Sequence, residues 1–217
     1  MSDIFQEVDE EVRRERLQKL WEKYSIFIIA GAVLIVAGIG GWRGYEYWQT
    51  KKAGEAGAAF EAAVDLSTAG KHAEAEAAFA KIAADAPAGY RALAKLRAAA
   101  ELAQTDRKKA VEAYDALTND SSLDQTLRDL AAVRAGMLLV DSAPLAEMQR
   151  RLQAFTEPAR TFRHTARELI ALSAWRNGDT ATATKYIDMI SADQETPPGT
   201  RTRAEILSAL LAGGGKG

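Results

Sequence analysis

Hydrophobic and polar positions divide the chain into two regions. Residues 24–42 form a run of nineteen residues without a charge, and no polar stripe at helical spacing interrupts it. Beyond this run, apolar residues recur at the intervals of amphipathic helices, and the alternation expected of β-strands is absent. The pattern predicts an all-α protein, with a single N-terminal transmembrane helix followed by a helical domain.

The uncharged run has the length of a membrane span. At the α-helical rise it covers about 28 Å, close to the roughly 30 Å thickness of a bilayer's hydrocarbon core. Tyr24 and Trp42 lie at its two edges, where aromatic rings favour the headgroup layer. A cleaved signal peptide is the alternative, but its apolar region usually has only about 7 to 15 residues and ends in small side chains. A retained anchor is therefore favoured.

Charges beside the span predict its orientation. Five lysines and arginines lie in residues 9–23 and three in residues 43–57. The more basic flank normally stays in the cytoplasm, which places the C-terminal domain across the membrane, in the periplasm if the cell is Gram-negative. The chain contains no cysteine, so an exported domain would need no disulfides, and a cysteine-based metal or thiol site is excluded.

Four segments are predicted from these patterns. They are a cytoplasmic amphipathic arm (1–23), the transmembrane helix (24–42), a periplasmic repeat domain (43–212) and a flexible tail (213–217). The basic part of the arm is typical of a segment that orients a span at the anionic inner leaflet, and docking to a cytoplasmic partner is the alternative. No proline follows the span, so its helix is predicted to continue into the domain, with Gly54 or Gly57 as the bend.

Small residues cluster near the end of the span. Two pairs with three intervening residues are formed by Ala37 with Gly41 and by Gly40 with Gly44. Such pairs let two helices approach closely in lipid, where packing drives association. These residues are therefore a candidate face for lateral contact with another membrane protein.

An internal period appears beyond the span. Positions Ala75, Ala110, Ala146 and Thr182 are spaced 35, 36 and 36 residues apart, and an aromatic residue follows four positions later in three of the four units. A small residue, then an aromatic one, then a proline resembles the second helix of a tetratricopeptide repeat, in which the aromatic side chain fills the groove between helices. The predicted repeat-packing residues are Ala75, Phe79, Ala110, Tyr114 and Tyr186.

The period predicts an α-solenoid of four helix pairs and a closing helix. First helices are expected at 53–68, 89–104, 123–140 and 161–176, second helices at 72–84, 107–117, 144–155 and 180–190, and the closing helix at 200–211. The third unit departs from the pattern, because Arg150 and Gln153 occupy apolar positions. An alternative stripe, Leu145, Met148, Leu152 and Phe155, predicts that this helix is rotated or shifted in register.

Enzymatic chemistry finds little support in the sequence. His72 and His164 lie in different units; His72 is interpreted as a solvated residue, and His164, with Arg163 and Arg167, as a polar helix face. Acidic residues such as Glu101 are interpreted as solvated helix faces. No metal-ligand spacing and no phosphate-binding glycine loop is present, so we expect no catalytic residue, no metal, no cofactor and no small-molecule substrate.

Protein binding remains as the expected activity. Residues 53–217 carry 20 basic and 22 acidic side chains, a balance that argues against nucleic acid as a partner. Stacked helix pairs instead provide a surface suited to peptides. Trp175 could anchor a groove or fill the core between repeats, and the core is favoured because large aromatic residues usually pack.

Several short motifs, taken in order, resemble a known family. They are Gly41-Trp42-Arg43 followed by Tyr45, Tyr47 and Trp48, then Tyr90-Arg91-Ala92-Leu93-Ala94, Gly178-Asp179 and Pro197-Pro198. Nearly the whole chain is similar to the YfgM-type ancillary subunits of the SecYEG translocon. The resemblance implies translocon subunits and a PpiD-like membrane-anchored periplasmic chaperone as partners. It also implies that emerging polypeptides are passed to periplasmic folding factors.

Two functional hypotheses follow. The first is a non-enzymatic adaptor at the translocon that links emerging polypeptides to periplasmic chaperones. The second is a scaffold for envelope assembly or division, or a stress-signalling tether that acts through residues 1–23.

Overall fold

The computed structural model describes the backbone of residues 3–214 and the side chains of residues 13–213. It contains two compact units, which divide between Gly54 and Glu55. The ordered elements of the described residues are all helical, which confirms the all-α prediction.

Nine α-helices and one short 3-10 helix make up the described chain. They are α1 (Asp3–Thr68), α2 (His72–Asp85), α3 (Ala88–Thr105), α4 (Arg107–Thr118), α5 (Gln125–Leu139), α6 (Leu145–Leu152) with the 3-10 turn Gln153–Phe155, α7 (Arg163–Arg176), α8 (Thr180–Ala192) and α9 (Pro198–Gly214). The predicted helices of the repeat region begin and end within three residues of these bounds, except that the first one is the end of α1 and has no start of its own at residue 53. Helix α1 continues without interruption beyond the span, as predicted, and the bend at Gly54 or Gly57 stays a prediction.

The first unit consists of the part of α1 up to Gly54. One stretch of this helix is long and apolar enough to cross a membrane, and it fits a single-pass anchor. Its large apolar side chains are exposed, as are Tyr24 and Trp42 at its edges. A Cβ atom added at Gly40, Gly41 or Gly44 would meet nothing within 4 Å, so the small-residue face that these glycines share with Ala37 is open. Its role in helix packing stays a prediction.

Both ends of the chain reach beyond the described residues. The side chains of residues 1–12, which belong to the predicted cytoplasmic arm, lie outside them. Helix α9 runs to Gly214, and the last three residues of the predicted flexible tail, 215–217, also lie outside.

The second unit is a stack of helix pairs. We call the end of α1, α3, α5 and α7 the first helices, and α2, α4, α6 and α8 the second helices. From α2 onward each α-helix contacts the next one in the chain, and α3, α5, α7 and α9 also contact one another in that order. Three apolar clusters therefore follow one another along the stack instead of forming one central core.

The predicted repeat-packing residues are buried in the second helices. Ala75 and Phe79 of α2 are completely buried, and the Phe79 ring meets Phe60 edge-on with centroids 5.1 Å apart. Ala110 and Tyr114 occupy the corresponding places in α4, and Tyr186 is buried in α8.

Helix α6 uses a different stripe, as the sequence predicts. Met148 and Leu152 are fully buried, whereas Arg150 and Gln153 are exposed. The rotation keeps both polar side chains in water, because burying them without partners would be costly.

Turn and cap residues end the helices where the sequence places them. Gly70 and Gly178 adopt φ angles of 76° and 75°, a region that other residues rarely enter. The side chains of Asp106, Asp124 and Asp179 accept hydrogen bonds from backbone N–H groups at the starts of α4, α5 and α8. Gly70, Asp106 and Asp179 lie in the short connections within three of the four helix pairs, and Asp124 caps the start of the third pair.

Candidate functional site

An apolar groove lies at the C-terminal end of the stack, between α7 and α9. We call it the terminal groove. Its volume is about 210 Å³, and its apolar lining consists mainly of Leu172, Trp175, Ile187, Ile190, Leu207 and Leu210. Residues from α7 and α9 form the two walls, and Ile187 and Ile190 of α8 form the floor. The walls arise from helical spacing, since Leu172 and Trp175 lie three residues apart on one face of α7.

Trp175 forms the open edge of the terminal groove. Its side chain is 45% exposed, so the expectation that it belongs to the core between repeats was wrong. The reason is its position in the last turn of α7, where α9, a single helix, covers the outward stripe only in part. Ile206 and Leu210 of α9 are also exposed, at 57% and 50%. An apolar edge of this kind can receive an apolar side chain of another protein.

An ion pair lies at the rim of the terminal groove. Arg203 Nη2 of α9 donates a hydrogen bond of 2.8 Å to Oε2 of Glu168 in α7, and Nε of the same arginine contacts Oε1. This pairing raises the pKa of Arg203 above its usual value. The bidentate contact connects the two walls and neutralises their charges, which leaves apolar contact as the main chemistry of the groove.

A polar cluster around Asp193 fixes the chain between α8 and α9. Arg163 Nε and Arg167 Nη1 lie 2.8 and 2.9 Å from Oδ2 of Asp193. Arg167 also donates a hydrogen bond of 3.0 Å to the carbonyl oxygen of Thr156. The Arg163 hydrogen bond is the largest cause that holds the pKa of the Asp193 carboxyl well below its usual range. The cluster thus sets where α9 begins against α7.

Two members of this cluster contradict the sequence interpretation. Arg167 is 3% exposed and His164 is 7% exposed, so the expected polar helix face is mostly buried. The reason is that the segment after α8 folds back over the start of α7 and brings Asp193 and Thr196 onto it.

The tautomer of His164 follows from its partner. Thr196 Oγ1 lies 2.7 Å from the carbonyl oxygen of Ile190, which can only accept, so the hydroxyl proton is used there. Oγ1 must then accept from Nδ1–H of His164 at 3.0 Å. Burial lowers the pKa of His164, and the positive charge of Arg163 lowers it further.

A buried carboxylate lies toward the other end of the stack. Glu101 of α3 is 5% exposed, and its two oxygens meet Ser67 Oγ at 2.6 Å and His72 Nδ1 at 2.8 Å. The interpretation of Glu101 as a solvated residue was therefore wrong, whereas the side chain of His72 is 33% exposed and is solvated in part. Because Glu101 lies between the other two, the histidine cannot activate the serine, and the cluster instead joins the α1–α2 turn to α3. The sequence contains only a weak signal for the burial of Glu101. It lies at helical spacing from Ala94, which is buried, and so shares the same face of α3.

The predicted repeat-packing residues lie inside the stack and do not line the terminal groove. Among residues 13–213 the structure places no three potential metal ligands together. The terminal groove is an apolar recess of this unit, and its exposed apolar side chains are suited to contact with another chain.

A family model described as "Tetratricopeptide repeat-like domain" matches residues 18–196. The chain belongs to the tetratricopeptide repeat-like domain family. Neither a curated protein nor a solved structure matches the chain. Repeat domains of this family are generally protein-interaction modules. Helix α9 follows the matched residues, so one wall of the terminal groove lies outside the family match.

Proposed function

We propose that this protein is a membrane-anchored interaction module, ancillary to the Sec translocon, that links emerging polypeptides to periplasmic chaperones. One observation carries the proposal: the family match begins before the predicted span and runs through it into the helix pairs. The predicted membrane anchor and the helix pairs are thus both part of the region that the family model matches. A binding domain built in this way acts on partners at a membrane surface.

The terminal groove supports binding of unfolded chains. Polypeptides that leave a translocon expose apolar side chains which they bury only after folding. The groove offers an apolar recess with Trp175 and Leu210 at its edges, and its rim charges are already paired. It can therefore take up single apolar side chains without demanding a particular charged sequence.

The orientation and the membrane partners belong to the same proposal. The charge difference across the span supports a cytoplasmic N-terminus in a bacterial inner membrane, with the repeats in the periplasm. The open face of Ala37, Gly40, Gly41 and Gly44 supports lateral contact with a translocon subunit. The partner on the periplasmic side is a PpiD-like membrane-anchored chaperone.

Photo-crosslinking in native membranes tests these contacts. A photoreactive residue at Leu210 is expected to capture exported polypeptides or a periplasmic chaperone, and one at Gly40 is expected to capture translocon subunits. Glu112, exposed on second helix α4, is the control position for Leu210. Recovery of neither translocon subunits nor a periplasmic chaperone from any position would refute the proposal.

Orientation has a separate test, because the chain contains no cysteine. A single cysteine introduced at Ser208 of α9 is expected to react with a membrane-impermeant maleimide in spheroplasts. One introduced at Gln18 is expected to react only after lysis. The reverse pattern would place the repeats in the cytoplasm.

A further inference from the structure

Helix α9 ends the stack with an apolar side that is exposed to solvent. Terminal helices of repeat stacks usually have a polar outer face, which keeps the end of the stack soluble. In α9, Ile206 and Leu210 are exposed, and residues 206–214 contain no charged side chain. Helix α9 packs on α7 and α8, and the described residues contain no further helix that could cover its other side. This side of α9 is therefore available to another chain.

The residues on the exposed side of α9 have a palindromic spacing. Intervals of three, four and three positions separate Arg203, Ile206, Leu210 and Gly213, which we call the α9 face. The spacing places them along one side of the helix, and each of them is exposed. In an antiparallel pair of two such helices, Ile206 of each copy meets Leu210 of the other. In the same register, Arg203 of each copy meets Gly213 of the other. The α9 face is thus complementary to itself, as a two-fold symmetric interface requires.

Size and charge also match in this register. A Cβ atom placed at Gly213 would meet nothing within 4 Å, so this position leaves room for Arg203 of the other copy. Arg203 contacts Glu168 through Nε and Nη2, and its Nη1 forms no hydrogen bond with a residue that the structure describes. The C-terminal end of α9 has carbonyl groups without helical partners and no basic residue in its last turn. The helix macrodipole makes this end negative, and a cation is stabilised there. Arg203 of each copy thus complements the end of the other α9.

We propose that the α9 face binds the α9 face of a second copy of this protein in an antiparallel pair. Ile206 and Leu210 exclude water at the centre of the pair, and Arg203 donates from Nη1 to the last carbonyl groups of the other helix at both ends. The contact covers the terminal groove, because Arg203, Ile206 and Leu210 also line it. The pairing rests on the proposed function of that groove and adds its regulation: an exported polypeptide and a second copy compete for the same surface.

Disulfide formation in native membranes tests the register, since the chain contains no cysteine of its own. Ile206→Cys and Leu210→Cys are co-expressed on chains with tags of different size. Oxidation is expected to join them, because facing positions come within the distance that a disulfide spans. Arg203→Cys alone is expected to form almost no disulfide, because its two copies lie about 15 Å apart along the pair. The control combines Leu210→Cys with Thr184→Cys, which is exposed on α8 and does not line the terminal groove.

A second variant separates pairing from polypeptide binding. Gly213→Leu places a bulky side chain against Arg203 of the other copy, but Gly213 does not line the terminal groove. Sedimentation equilibrium in mild detergent is expected to show a monomer–dimer equilibrium for the wild-type chain and about tenfold weaker association for this variant.

Ala212→Leu is the matched control for Gly213→Leu. It adds the same bulk at an exposed position about 100° around the helix, away from the α9 face, and should associate like the wild-type chain. Circular dichroism checks that each variant is folded. If Gly213→Leu does not fold, the cysteine pairs still decide.

Three results would overturn the pairing. They are the absence of a disulfide between Ile206→Cys and Leu210→Cys, an equal yield from the control pair, and equal association of the Gly213→Leu and wild-type chains. Dimers that form without the α9 disulfide would place the contact elsewhere, for example in the span. None of these results affects the capture of exported polypeptides by photo-crosslinking at Leu210, which would still support the proposed function. Conversely, pairing without capture of translocon subunits or a chaperone would refute the proposed function alone.

Discussion

Arg163 Nε lies 2.8 Å from Oδ2 of Asp193, and this contact joins the first turn of α7 to the residue after α8. Because α9 starts only a few residues later, the pair helps to set the position of one wall of the terminal groove. The groove thus depends on a polar contact between residues that are thirty positions apart in the chain.

Replacing the carboxylate of Asp193 should destabilise the second unit. Asp193→Asn removes the charge that both Arg163 and Arg167 contact, and hydrogen bonds to charged groups contribute about 1.5–3 kcal/mol. We expect a loss of this size in the free energy of unfolding at pH 7, measured by urea unfolding in mild detergent. Asp188→Asn, an exposed change on α8, is the matched control and should have little effect.

The difference in the free energy of unfolding between the wild-type protein and Asp193→Asn should depend on pH. The pKa of Asp193 is lowered in the folded protein, so its contribution is present above the unfolded value of about 3.9 and is lost as pH falls below that value. The difference between the wild-type protein and Asp193→Asn should therefore narrow in acid. A difference that stays constant between pH 7 and pH 3 would contradict the assigned role of the carboxylate.

His164 should make stability depend on pH near neutrality. Burial lowers its pKa in the folded protein, so below about pH 6.5 the unfolded chain takes up a proton that the folded chain does not. The free energy of unfolding should therefore decrease as the pH falls from about 6.5 to the pKa of His164 in the folded protein. His164→Asn keeps a donor for Thr196 and should flatten the profile between pH 7.5 and about pH 5.5. Urea unfolding at several pH values measures this effect. An unchanged slope in the variant would show that another group is responsible.

Glu101 should stabilise the first helix pair through its two contacts. Glu101→Leu leaves Ser67 and His72 without their acceptor, and we expect a loss of about 1–3 kcal/mol in the free energy of unfolding. Glu101→Gln keeps one acceptor oxygen and should lose less. The control is Glu112→Gln, an exposed change on α4. Equal stability of the leucine variant and the wild-type protein would mean that the cluster contributes nothing.

Gly136 should resist substitution because of close packing. A Cβ atom there would lie 2.9 Å from Cδ1 and 3.2 Å from Cδ2 of Leu152. Gly136→Ala should gain up to about 1 kcal/mol of helix propensity but lose about 1–3 kcal/mol from overpacking, so that the protein is less stable on balance. Thermal unfolding measures the result, and Leu152→Val in the same chain should relieve part of the loss. Gly89→Ala, where nothing lies within 4 Å, should be neutral or slightly stabilising.

Trp175 should matter for binding more than for folding. Trp175→Ala is expected to reduce the yield of exported polypeptide crosslinked at Leu210 about tenfold, because aromatic anchors contribute a large share of binding energy. The melting temperature of the Trp175→Ala variant should change little, since the Trp175 side chain is 45% exposed. Trp175→Phe should retain part of the yield, and Lys185→Ala on α8 is the control. Full crosslinking in the alanine variant would exclude the terminal groove as the binding site.

Local features of the sequence determined the membrane-compatible helix and the helix boundaries. An uncharged run of sufficient length meets the requirement of a bilayer without any tertiary contact. Cap residues such as Asp106 and Asp179, and glycines in turns, act on their immediate neighbours, so helix ends could be predicted within a few residues. Even the rotation of α6 was visible, because its second apolar stripe lies within a single helix.

Only the tertiary structure decided which polar residues are buried and which aromatic residue is exposed. Arg167, His164 and Glu101 are buried because distant segments bring partners to them, and a polar residue type carries no sign of such a partner. Trp175 is half exposed because α9 covers α7 incompletely.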